Sequence, residues 1–146
     1  MKPILKLLVP GALALLVAMG GIASSPAPAS ADSCWWHNGT LMRLKDRGNQ
    51  RWFLYEDPRK RWMRAAGVRR GTLLFNGVKN GNSYSGTARR FSKYCPGDPL
   101  EYHVSGPVSP NQTRVTVSGN RPIHSRCRPT GAVEWDTLVF TYSHQC

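Results

Sequence analysis

Leu100-Glu101-Tyr102-His103-Val104-Ser105-Gly106-Pro107-Val108 is followed, beyond Ser109-Pro110-Asn111-Gln112, by Thr113-Arg114-Val115-Thr116-Val117-Ser118-Gly119-Asn120. In the first segment Leu100, Tyr102, Val104 and Val108 share one parity, and Glu101, His103 and Ser105 the other. In the second, Val115 and Val117 alternate with Arg114, Thr116 and Ser118. Successive side chains of a strand point to opposite faces, so this period of two describes strands with one buried and one wet face. Pro110-Asn111-Gln112 supplies the reversal, and the two segments predict a β-hairpin.

Outward from this hairpin the same texture repeats. Turn formers break the chain every ten residues or so, at Asn38-Gly39, Arg47-Gly48-Asn49, Asp57-Pro58, Asn80-Gly81-Asn82 and Pro96-Gly97-Asp98-Pro99. The intervening stretches, rich in Val, Thr, Tyr, Phe and Trp, predict strands at Thr40–Asp46, Arg51–Glu56, Leu73–Lys79, Ser83–Ser92 and Asp136–Tyr142, with a further one at Arg61–Ala66. No long segment carries apolar residues at helical spacing. The fold class is therefore all-β, with about eight short strands in sequence-local hairpins. A small antiparallel meander closed into a barrel removes the exposed edges; a two-sheet β-sandwich uses the same strands and is the alternative. Gly77, Gly86, Gly106 and Gly119 fall inside strands, where glycine marks a bulge or sharp bend.

The hairpin also arranges the cysteines. Folding the chain about residues 110–112 brings position 95 opposite 127 or 128, so a Cys95–Cys127 bridge would staple its base. Cys34 and Cys146 remain, near the two mature ends, and a bridge between them would tie those ends together, which suits closure. A zinc site is the competing use of cysteine. It needs two close ligand pairs, whereas the chain offers only His144 with Cys146, so neither a metal nor a cofactor is expected.

The first 31 residues read as an address. Lys2 and Lys6 precede an apolar stretch, and Ala29-Ser30-Ala31 places small residues at the positions a signal peptidase requires. Cleavage after Ala31 (Ala29 and Ala27 are the alternatives) leaves a single β domain at 32–146, exported to the periplasm or the medium. An uncleaved anchor is the competing reading. Leu7–Ala23 stands at the lower edge of the roughly 17–25 residues a span takes, and no Lys or Arg follows closely.

Processing takes the net charge from +12 to +10, since two lysines and no acid are lost. Residues 43–93 hold 14 basic groups against 3 acids, while residues 94–146 hold 4 of each. The densest run, Arg59-Lys60-Arg61-Trp62-Met63-Arg64-Ala65-Ala66-Gly67-Val68-Arg69-Arg70, carries six cations and no acid. Such a field attracts polyanions (lipid phosphate, acidic polysaccharide, nucleic acid) or an acidic protein, with an affinity that falls as salt rises. Arg59, Lys60, Arg61, Trp62, Arg64, Arg69 and Arg70 are accordingly the candidate binding residues. Trp62 adds a ring for stacking, although it could equally be a core anchor around which basic stems snorkel.

Other constellations carry less. His37, His103, His124 and His144 could supply an acid and a base, but nothing in the sequence brings two of them together. Glu56/Asp57 and Glu134/Asp136 are too close in sequence to say whether they flank a bond, and an arginine beside Asp136 is the simpler expectation. Ser83 and Ser85 lie in a hairpin and do not fit a nucleophile elbow. Trp35-Trp36 is read as a pair capping the open end of the barrel beside Cys34. Asn38-Gly39-Thr40 and Asn111-Gln112-Thr113 match the glycosylation pattern, which is too short to predict modification.

The phrases Trp36-His37-Asn38-Gly39, Gly71-Thr72-Leu73-Leu74-Phe75-Asn76-Gly77, Tyr84-Ser85-Gly86-Thr87-Ala88, Val104-Ser105-Gly106-Pro107-Val108 and Asp136-Thr137-Leu138-Val139-Phe140 resemble small exported bacterial proteins of unassigned function. The resemblance spans most of residues 32–146. It brings no activity with it, so no catalytic residue is carried over. The expectation is a secreted or periplasmic basic β-barrel that binds an anionic envelope component or acidic partner without catalysis. A small basic hydrolase, ribonuclease-like or acting on cell wall through His103 or His124, is the second class. A barrel holding a small apolar ligand is the third.

Overall fold

The computed structural model describes residues 32–146. The export signal read at residues 1–31 lies outside the described residues. Eight strands form one closed antiparallel barrel: β1 (Ser33–His37), β2 (Thr40–Arg47), β3 (Gln50–Asp57), β4 (Leu73–Asn80), β5 (Ser83–Arg90), β6 (Leu100–Pro107), β7 (Arg114–Ser125) and β8 (Arg128–Gln145). Each strand pairs with the next, and β8 returns to β1, so the meander closes and the sandwich alternative does not hold. Both bridges form as the hairpin arithmetic requires, Cys34–Cys146 and Cys95–Cys127.

The alternating apolar residues fill the interior. Met42, Phe53, Phe75, Val104, Val115, Val117 and Phe140 are fully buried. Phe53 and Phe140 stack with centroids 3.8 Å apart and rings 6° from parallel, and Trp35 meets Phe53 edge-on at 5.7 Å. An eight-stranded barrel has an interior just wide enough for side chains, and here large aromatics occupy it. Facing glycines tighten the wall. Gly77 and Gly86 are register partners, and a Cβ on Gly86 would lie 2.2 Å from the Asn76 carbonyl oxygen. Gly106 and Gly119 approach neighbouring carbonyl oxygens as closely, so all four glycines stand where two strands leave no room for a side chain.

Two expectations need correction. Arg61–Ala66 is not a strand: residues Arg61–Ala65 form a short helix, α1. The reason is packing. Met63 and Ala66, three residues apart, are buried while Arg61, Trp62 and Arg64 are exposed, a helical spacing rather than the period of two of a strand. The eighth strand is instead β1. Its alternation also undoes the reading of Trp35 and Trp36 as joint caps: Trp35 is buried in the core and Trp36 is 48% exposed on the wall.

The two ends of the barrel differ. At one end lie both termini of the described chain, the Cys34–Cys146 bridge and the loops at 48–49, 81–82 and 108–113. At the other lie the Asn38-Gly39 turn, the 58–72 connection containing α1, the 91–99 loop and the tip of the β7–β8 hairpin. That hairpin runs on past the rim, since β1 pairs with β8 only from Thr141 onward. Cys95–Cys127 ties its tip to the 91–99 loop. The Gly97 amide donates to the Ala66 carbonyl at 3.2 Å, which joins the loop to the end of α1. We call this the helix end.

Candidate anion-binding end of the barrel

Burial of Met63, Ala66 and Val68 holds the basic run against the rim and fixes which of its side chains face water. Two of the six cations are matched by acids: Arg59 pairs with Asp57 at 2.5 Å and Arg70 with Glu56 at 2.7 Å. Glu56 also accepts two hydrogen bonds from Arg43, whose guanidinium, ahead of Arg70, holds its carboxyl down to about 2. The other four are not matched. Lys60 Nζ donates to the Asn38 carbonyl, and Arg69 to the carbonyls of Val68 and Arg64 at 3.0 and 3.1 Å, contacts that leave their charge standing. Arg61 and Arg64 have no carboxylate partner among the described residues.

The exposed apolar groups gather at the same end. Trp36, Trp62, Tyr94, Ile123, Val133 and Trp135 are the exposed large hydrophobic residues among the described ones, and all belong to β1, α1, the 91–99 loop or the β7–β8 hairpin. Tyr94 and Trp135 are 77% and 69% exposed. Lys93 lies 5.1 Å from the Tyr94 ring, and Arg126 stands in the hairpin turn with Arg128 just after it. Cations and aromatic rings therefore share one end of the barrel.

Behind this rim is a cavity of about 290 Å³ whose lining includes His37, Tyr55, Lys60, Trp62, Arg90, Tyr102 and Asp136. Those of them that stand on strands continue the inward parity of their strands. Along β5, Tyr84, Gly86 and Ala88 lead to Arg90; along β1, Trp35 leads to His37; along β8, Tyr142, Phe140 and Leu138 lead to Asp136. The barrel interior thus turns from apolar to ionisable as it nears the helix end. His37 stacks on Phe140 at 4.7 Å, and its Nδ1 lies 2.9 Å from the Val139 carbonyl oxygen. A carbonyl only accepts, so Nδ1 carries the proton and Nε2 keeps its lone pair, toward which the Asn38 amide donates at 3.3 Å. Burial pushes the His37 pKa below its ordinary value, which makes the ring neutral at pH 7. The Tyr102 hydroxyl donates to Asp136 Oδ2 at 2.5 Å, and Arg121 approaches the same carboxylate at 3.6 Å. Burial, then that hydrogen bond, pushes the Tyr102 phenol up. Burial alone takes Tyr55 to about 12.

The candidate residues of the basic run lie together at this end of the barrel, with Trp62 half-exposed at the cavity's edge rather than anchored in the core. The histidines do not gather. His103 is exposed on the outer face of β6, His124 sits on the projecting hairpin and His144 near the chain end. His37 is the histidine in the cavity. Glu134 and Asp136 both face Arg121, the arginine expected beside Asp136. Sequence reading missed the contributions of His37, Tyr55, Arg90 and Tyr102. The available signal was an ionisable or phenolic residue closing an otherwise apolar parity at a strand end. Among the described residues no cluster of His, Cys, Asp and Glu could hold a metal ion, and no helix is long and apolar enough to cross a membrane. Comparison of the chain with family models, with curated proteins and with solved structures finds no match.

Proposed function

We propose that the protein is an exported binding module, periplasmic or extracellular, that docks by its helix end on an anionic, phosphate-bearing lipid surface. Two disulfides with no free cysteine among the described residues fit a chain that folds in an oxidising compartment. The observation that carries the reading is the coincidence at one end of the barrel of unmatched cations (Lys60, Arg61, Arg64, Arg69) with every exposed large apolar side chain among the described residues. Trp and Tyr suit a membrane interface because one part of the ring system is apolar and the other polar. Arginine meets phosphate with two parallel hydrogen bonds. Ile123 and Val133 favour lipid over a polysaccharide or nucleic acid, which offer aliphatic groups no apolar phase to enter.

A basic side chain near an anionic leaflet contributes about 1 kcal/mol. The triple variant Arg61→Ala/Arg64→Ala/Arg69→Ala is therefore expected to bind vesicles of phosphatidylcholine mixed with phosphatidylglycerol about 100-fold more weakly than the parent. The parent should ignore phosphatidylcholine alone and release from the mixed vesicles as salt shortens the screening length. Co-sedimentation at rising salt measures all three. Retention on heparin or RNA without vesicle binding would overturn the lipid assignment in favour of a soluble polyanion.

The hydrolase reading gains one observation. His37 lines a cavity that also holds cations, so His37 rather than His103 or His124 would be its base once the Asn38 amide leaves Nε2. Release of nitrophenol from bis(p-nitrophenyl) phosphate, abolished by His37→Ala, would support that reading.

A further inference from the structure

The cations facing the helix-end cavity differ in what they already do. Arg89 is engaged, donating to Asn76 Oδ1 at 2.7 Å and pairing with Glu101 at 3.2 Å. Asp136 is engaged by Tyr102 and Arg121. Arg90 has no hydrogen-bond or ion-pair partner among the described residues, and Lys60 has only a backbone carbonyl. The Tyr55 hydroxyl also has no partner, yet it is not a sealed orphan: the one buried side-chain polar atom lacking a partner among the described residues is Arg121 Nε. The hydroxyl is therefore not sealed off, and Tyr55 lines this cavity as well as the groove beside Glu56 and Arg70. Tyr55, Arg90 and Lys60, from β3, β5 and the start of the α1 segment, thus line one small space with two positive charges that no carboxylate matches.

We infer that this cavity binds a phosphate monoester, its phosphate held by Lys60, Arg90 and Tyr55 and its organic part lying against the Trp62 ring. A monoester carries about −1.5 to −2 charge at pH 7 and three strong acceptor oxygens, which matches two cations and three donors better than a planar monoanionic carboxylate does. The volume of about 290 Å³ is at the small end for ligand pockets, so it suits a head group rather than a polymer segment. The Asp136 carboxylate adds an acceptor for a hydroxyl beside the phosphate. The inference deepens the docking reading and rests on it only for the source of the ester, which is a lipid head or a free metabolite.

Titration calorimetry of the purified protein with sn-glycerol 3-phosphate, with glycerol as the neutral control, tests it. Saturable binding of the ester and none of glycerol is expected. Arg90→Met and Tyr55→Phe, checked for unchanged near-ultraviolet circular dichroism, should each weaken it by about tenfold or more for Arg90 and measurably for Tyr55. Arg61→Ala/Arg64→Ala, away from the cavity, should leave this affinity within about twofold while lowering vesicle binding. Absence of saturable ester binding, or parent-like affinity in both Arg90→Met and Tyr55→Phe, overturns the inference. Ester binding without binding to phosphatidic acid vesicles supports the pocket and assigns it a free ester, at the expense of the docking reading. Vesicle binding without ester binding rejects the pocket and leaves docking standing.

Discussion

Opening the seam of the barrel should cost more than releasing its hairpin. Cys34→Ala/Cys146→Ala removes a cross-link between residues 112 apart, and Cys95→Ala/Cys127→Ala one between residues 32 apart. Loop-closure entropy in the unfolded chain then assigns about 4.8 kcal/mol to the first bridge and about 3.7 kcal/mol to the second. The folded state widens the gap. The first bridge sits where five-residue β1 meets β8, and a register shift between Cys34 and Trp35 already weakens that ladder. The second closes on a turn whose residues, Arg126 and Cys127, both hold positive φ without being glycine, a conformation they would partly relax once released. The seam variant should therefore lose at least about 1 kcal/mol more, and its Tm should fall by roughly 15–20 °C. Urea unfolding followed by tryptophan fluorescence reads the difference. Stabilities extrapolated to water should be compared rather than midpoints, because losing a cross-link expands the unfolded chain and changes the slope. Equal losses, or a larger loss at the hairpin, would refute the reasoning and make the projecting hairpin an integral part of the barrel.

Three further outcomes follow from the interior. Phe140→Ala removes a ring stacked on both Phe53 and His37, and should lower stability by about 3–5 kcal/mol in the same urea assay. Gly86→Ala places a methyl 2.2 Å from the Asn76 carbonyl oxygen, so strands β4 and β5 must separate; loss of folded protein on size exclusion is expected, where an alanine at exposed Gly48 would be tolerated far better. Stability should also decline on acidification below about pH 6.5, the ordinary histidine value. The unfolded chain takes up a proton there that buried His37, helped by Lys60 and despite the Val139 carbonyl and Asp136, still refuses, so the contribution is full above that value and lost beneath it. Urea midpoints at about pH 7.5 and about pH 5.5 should differ less in His37→Leu.

The barrel was legible because its strands are amphipathic. Val115/Val117 against Arg114/Thr116, and Leu138/Phe140 against Val139, state the inward face residue by residue, and one hairpin places Cys95 opposite Cys127. Arg61–Ala66 was not legible. Trp62-Met63 and Ala65-Ala66 suit either period, and what decides between them is the open rim that Met63, Ala66 and Val68 fill from above. The charge of the candidate face could be counted from the sequence, but its cavity could not. Arg90 and Asp136 look like frayed polar strand ends until closure turns their parity inward. The gathering of Trp36, Trp62, Tyr94 and Trp135 likewise depends on which loops share an end, and only the wiring of the closed meander determines that.

Asp32 and Cys146 leave the barrel side by side, joined by a backbone hydrogen bond of 3.1 Å and the neighbouring bridge, on the side away from α1. A tag or fluorophore appended at the carboxyl end is thus carried on the rear of the molecule. Immobilising the protein through such a handle would present every copy with its arginines and tryptophans facing the solution. Under the proposed docking the same geometry would turn Cys146, the exposed half of that cystine, toward the bulk solution while Cys34 stays buried.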